Sequence, residues 1–125
     1  MYQNRITLIG FLGRDAEVKN TRSNASYTVL SLATKASWKD HAGEWQSRTE
    51  WHCCIVWGKL GEFAATLTKG MHLQVEGELR SREYQRDGAT HRVWEVRADS
   101  ILKLDRAERQ EESVSTNAEP SEVPS

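Results

Sequence analysis

Thr49-Glu50-Trp51-His52-Cys53-Cys54-Ile55-Val56-Trp57-Gly58-Lys59-Leu60 is the stretch whose reading decides the fold. Taken with period two, it places Trp51, Cys53, Ile55 and Trp57 on one face and His52, Cys54 and Val56 on the other. Between Trp51 and Trp57 both faces avoid charge, and β-branched and aromatic residues suit a strand better than a helix of this length. The face with smaller residues fits the cramped interior of a small barrel. The other carries two indoles, roughly 20 Å apart along an extended strand. Large aromatics on the outside of a sheet are costly to leave wet unless something flat stacks on them, and nucleobases are flat. Burial of both indoles in a core or a subunit contact is the other use of such a pair.

The same residues resemble a family. Thr49-Glu50-Trp51-His52, followed by an apolar run, an aromatic and Gly58-Lys59-Leu60, is similar to the third strand of bacterial-type single-stranded DNA-binding proteins. Three further stretches agree in order and spacing, and the resemblance covers about residues 1–105.

The totals fit one domain. A chain of 125 residues supports a modest core but not two. No apolar run approaches the ~20 residues of a membrane span, and the N-terminus lacks a charged-then-apolar signal pattern, so a cytoplasmic protein is expected. The two Cys are adjacent in a strand and point to opposite faces, which suits a reducing compartment. The net charge of −1 divides into +3 over residues 1–104 and −4 over residues 105–125. A mildly basic body is compatible with a polyanion ligand.

In chain order, Asn4 to Gly13 predicts a first strand that bends at Gly10 and turns at Gly13. Its Asn-Arg start and Gly-x-Leu-Gly end again resemble the family, with Phe11 in a slot that is often polar there. Tyr27 to Thr34 predicts a second strand, Leu30 and Leu32 facing in. Trp38 then enters a long hairpin loop with its tip at Ala42-Gly43, read as flexible and basic, and Trp45 lies on the returning limb. For Trp45, packing on Trp38 and stacking on a ligand both remain open. Lys59 to Lys69 predicts a helix that buries Leu60, Phe63, Ala64 and Leu67 and is capped by Gly70. Leu73 to Tyr84 and His91 to Leu104 predict a hairpin of two strands around Asp87-Gly88. From Asp105 the apolar periodicity stops, so residues 106–125 are expected to form a disordered acidic tail.

Three strands, a helix and two more strands, with glycines at the bends, is the layout of an all-β, five-stranded OB barrel over residues 1–105. The resemblance implies stacking positions at Trp38, Trp51, Trp57 and Tyr84. It also implies a phosphate track at Lys39, Lys59, Lys69, Arg80 and Arg82, and a subunit contact at His52. Cys53 and Glu83 depart from it, since both stand where relatives often carry a cation, and weaker or more salt-sensitive binding is expected from them. The family's role is sequence-independent binding and protection of single-stranded DNA in replication, recombination and repair, as a homotetramer, beside the nucleoid. A dimeric relative and a pure assembly subunit are the alternatives.

No catalytic grouping stands out: paired carboxylates, a Gly-rich phosphate loop and an activated nucleophile are all missing. Adjacent His52, Cys53 and Cys54 cannot all point at one metal ion, and His41, His72 and His91 are scattered. The chain is therefore expected to be no enzyme and to need no cofactor or metal. The tail, ending Glu-Pro-Ser-Glu-Val-Pro-Ser, lacks the dense acidic tip closed by Pro-Phe with which relatives recruit repair enzymes. Such recruitment is not expected here.

Overall fold

A computed structural model describes residues 1–105. The expected tail lies outside the described residues. Seven elements follow in order: β1 (Ile6–Leu12), β2 (Glu17–Asn20), β3 (Ser26–Lys39), β4 (Trp45–Trp57), α1 (Gly58–Ala64), β5 (His72–Arg86) and β6 (Ala89–Lys103). The sheet runs β1-β5-β6-β4-β3-β2 and closes where β1 also pairs with β3, at Phe11↔Ala33 and Leu12↔Leu32. Closure needs one parallel contact, β4 with β6, through Cys54↔Val96 and Ile55↔Arg97. This is the five-stranded barrel read from the sequence, with its helix between the third and fourth barrel strands.

Alternation explains the core. Leu30 and Leu32 of β3, Cys54 and Val56 of β4, Leu73 and Val75 of β5 and Val96 of β6 all point inward and are buried. Each large aliphatic side chain so buried contributes about 1.5–3 kcal/mol. Ala64 and Leu67 close the end of the barrel, and the buried Thr28 hydroxyl donates to the Gly61 carbonyl at 2.7 Å. β1 crosses β3 so closely that a Cβ on Gly10 would lie 2.0 Å from the Ala33 carbonyl oxygen. Glycine at the bend is therefore a requirement of packing.

Three expectations need correction. β2 was not foreseen; all four of its residues are exposed, so it carries no buried alternation, and it pairs only with β3. The helix stops at Ala64 rather than Lys69, and Gly70 does not cap it. Thr66 ends it: its hydroxyl donates to the Phe63 carbonyl at 2.7 Å, and the N–H groups of Thr66 and Leu67 reach back only three residues. Gly70 instead makes the turn into β5, at φ +92°, and Phe63 is exposed.

The long hairpin loop is the third correction. β3 and β4 stay paired out to Lys39↔Trp45, so the segment is a two-stranded ribbon ending in the short turn Asp40–Glu44. Asp40 organises that turn. Its carboxylate accepts the N–H groups of Ala42 and Glu44 at 2.9 Å each and the Gln46 side-chain amide at 3.0 Å. The bonds to Glu44 and then Gln46 hold its carboxyl below the usual carboxylate range. A depressed acid contributes order that is complete above its unfolded value, about 3.9, and is lost as pH falls through the lower folded value. Protection of the Ala42 and Glu44 amides, measured against the intrinsic exchange rate at each pH, should therefore fall in acid below about pH 4, and should be low at every pH in Asp40→Ala. Equal protection in both proteins would remove Asp40 from this role.

Candidate nucleic-acid interface

The ribbon sorts its side chains by parity. Pairing between β3 and β4 runs from Tyr27↔Trp57 to Lys39↔Trp45 without a break, so odd-numbered residues of both strands share one face. That face carries Trp45, Trp51 and Trp57, with Tyr27, Lys35 and Lys39 across from them, and no carboxylate. Trp45 is 71% exposed, Trp51 62% and Trp57 36%. Trp38 is 45% exposed but has even parity, on the reverse of the ribbon with the ion pair Arg48–Glu50.

Local contacts set the indole orientations. Trp57 lies against Tyr27, ring centroids 4.8 Å apart and planes tilted by 37°, with the Arg97 guanidinium 6.0 Å from its ring. Trp51 lies over Gly13, where a Cβ would fall within 2.5 Å of the indole edge. Each ring is braced by its neighbours and keeps exposed surface. Such a ring offers a planar stacking surface with little rotamer entropy left to lose.

Beside Trp57 an open groove of about 450 Å³ is lined in part by Lys19 of β2, Cys53 and Ile55 of β4, Arg82 of β5 and Glu95 of β6. Its lining includes an ion pair. Arg82 Nε donates to Glu95 at 2.9 Å; the Glu95 side chain is 11% exposed and that of Arg82 59%. Arg80 is likewise paired with Glu78 at 2.9 Å. These two guanidinium groups, expected in a phosphate track, are thus partly neutralised within the chain.

Tyr84, 38% exposed, stacks on His91 at 5.3 Å. Glu83, expected to oppose a cationic track here, pairs instead with Arg92 at 2.7 Å. On a strand it must also point away from the face of Tyr84. Lys59 is exposed on α1, and exposed Lys69 is anchored by its backbone N–H to Asp15. Lys39 places its ammonium 5.8 Å from the Trp45 ring.

His52 is half-buried and hydrogen-bonded to the Thr34 hydroxyl at 2.8 Å. Burial pushes the Cys54 thiol up to about 12 and also raises that of Cys53, where the Glu95 carboxylate adds to the effect. Neither Cys is an activated nucleophile at neutral pH. Among the described residues no group of three or more His, Cys, Asp or Glu is placed to hold a metal ion.

Sequence reasoning missed Lys35, Tyr27, Lys19 and Arg97 at this surface. Lys35 and Tyr27 were within reach of a parity count once the strand pairing was known. Lys19 sits on the unforeseen β2, and Arg97 beside Trp57 depends on the parallel contact.

The Arg82–Glu95 pair leads to a measurable effect. Arg82→Ala leaves a nearly buried carboxylate without its donor, at a cost of about 1–3 kcal/mol. The larger figure for wholly buried pairs does not apply, because solvent screens Arg82. Denaturant melts should show that loss in Arg82→Ala and its recovery in Arg82→Ala/Glu95→Gln. Equal stability of the two variants would mean that the pair carries no such strain.

Known proteins share this sequence pattern and fold. The family model described as "Single-strand binding protein family" matches residues 3–104. A single-stranded DNA-binding protein of Xanthomonas campestris is 41% identical over 103 residues, covering 81% of this chain and 60% of the relative. One from Xylella fastidiosa is 40% identical, covering 81% and 63%. The chain thus spans less than two thirds of the length of these curated relatives. Among solved structures, Plasmodium falciparum SSB in complex with ssDNA superposes with a TM-score of 0.75 at 27% identity, covering 84% of this chain and 97% of that one. A deletion mutant of the single-stranded DNA binding protein from Thermus aquaticus gives 0.72 at 28% identity, covering 82% and 51%.

Proposed function

The chain belongs to the single-strand binding protein family, and from that premise we propose that it holds single-stranded DNA without reading its sequence. In this reading it protects exposed strands during replication, recombination and repair. It works as a binding protein rather than an enzyme, in the cytoplasm beside the nucleoid. The observation that carries the reading is the acid-free face of the ribbon, with its exposed indoles and two lysines. Every base has a π-face, so stacking tolerates any sequence, and each stacked base is worth ~1–3 kcal/mol. Trp51, Trp57 and Tyr84 are the stacking residues of this reading, with Trp38 a further one that a strand would meet on the reverse of the ribbon. Lys39, Lys59, Lys69, Arg80 and Arg82 are the phosphate contacts, with affinity that falls as salt rises.

We also infer assembly as a homotetramer, with His52 at a subunit contact. Ile9 and Leu102 flank Gln74 in one row on the outside of β1, β5 and β6, and Ile9, Phe11 and Leu102 are each more than half exposed. That apolar outer face supports burial against further copies. Sedimentation should give the mass of four chains; the mass of one would contradict the assembly.

The experiment that tests the function is competition. Duplex DNA hides the base faces that the indoles need. Oligo(dT) should therefore displace duplex from the protein at equal nucleotide concentration, whereas displacement of oligo(dT) by duplex would sink the reading.

A further inference from the structure

We propose that Trp45 and Lys39 form an additional base-stacking subsite at the tip of the β3–β4 ribbon, extending the path of a bound single strand beyond Trp51. The inference rests on the single-strand reading above. β4 carries an indole at every sixth position, 45, 51 and 57. Six residues are three full pleats, so the three rings share a face, roughly 20 Å from one to the next. A bulge anywhere in the ribbon would have turned Trp45 to the reverse, but the pairing is unbroken to its last pair, Lys39↔Trp45.

Trp45 is the most exposed of the five indoles. Lys39, directly across the ribbon, sits against its ring with the ammonium 5.8 Å from the centroid. A cation there orients the indole and stands within reach of the phosphate of a base stacked beside it. The surface between Trp45 and Trp51 is open to a strand: β4 places Ser47 and Thr49 there, opposite Ser37 and Lys35. Two nearby carboxylates are engaged away from this path. Asp40 is occupied by the turn, and Glu50 lies on the reverse face with Arg48. A rigid tip, a clear path and an oriented aromatic–cation pair together fit one occupant, the bases and phosphates of a single strand already held at Trp51.

The test uses the full chain, Trp45→Ala and Trp45→Phe against oligo(dT) of graded length. Affinity of the native chain should keep rising with length beyond the point where Trp45→Ala levels off. On the longest oligonucleotides Trp45→Ala should bind roughly 5- to 150-fold more weakly, the span of one base–aromatic stack. On the shortest ones the two should agree, and Trp45→Phe should recover most of the loss. Lys39→Gln, which leaves the indole in place, should flatten the salt slope by up to ~0.7 on long oligonucleotides only. Equal affinity of the native chain and Trp45→Ala at every length, with an unchanged salt slope in Lys39→Gln, would overturn the subsite while leaving the single-strand reading intact. Failure of the native chain to bind at any length would overturn both.

Discussion

Trp51→Ala and Trp57→Ala are each expected to weaken binding of single-stranded DNA by about 1–3 kcal/mol, and the double variant by about the sum of the two. The expectation follows from where the rings sit. Trp51 is 62% exposed over Gly13, and Trp57 is 36% exposed against Tyr27, so neither belongs to the cluster of Leu30, Leu32, Cys54 and Val56 inside the barrel. Truncating them removes stacking surface and leaves no internal cavity. The chain should therefore stay folded, with a small loss for Trp57, whose contact with Tyr27 disappears. Binding isotherms and denaturant melts on the same variants separate the two effects. Loss of folding with either change would mean that these indoles are core.

A large effect on stability is expected at Gly77. A Cβ there would lie 2.0 Å from the Arg97 carbonyl oxygen and 2.9 Å from the Ala98 Cα. Both are backbone atoms of β6, and the register between β5 and β6 shifts at Glu76/Gly77. No side chain can swing aside, so Gly77→Ala must push β5 and β6 apart at this point of their pairing. Overpacking of a core costs about 1–3 kcal/mol when rotamers can adjust; a backbone clash belongs to the tail above ~4 kcal/mol. For a domain of this size that is a drop in Tm on the order of 20 °C. Gly43→Ala is the control. It meets nothing within 4 Å and is strained only by its φ of +83° at the ribbon tip, which costs about 1–2 kcal/mol. A Gly77→Ala protein as stable as Gly43→Ala would contradict the packing described here.

The barrel was legible because most of its strands bury one face only. Period two in Leu30–Leu32, Cys54–Val56 and Leu73–Val75 marks inside from outside without any knowledge of pairing. The same count put Trp51 and Trp57 on one outer face. What escaped lacked that alternation or depended on partners. β2 is exposed at every residue, and the helix end turned on a hydroxyl of Thr66 that competes with the backbone. The relation of Trp38 and Trp45 to the other indoles required the register of a whole ribbon, since one bulge would exchange them. The neutralisation of Arg82 required Glu95, thirteen residues away across a hairpin. Glu83 was the reverse case: its alternation with Tyr84 was readable from the start.

The central claim is that the odd face of the β3–β4 ribbon holds single strands by stacking. Tryptophan emission of the full chain, titrated with oligo(dT), reports on that contact most directly, because three of the five indoles lie on this face. The account predicts strong quenching that saturates with binding, shrinks in Trp51→Ala and Trp57→Ala, and survives salt better than the electrostatic part of the affinity. Oligo(dT) bound with the emission unchanged would contradict it.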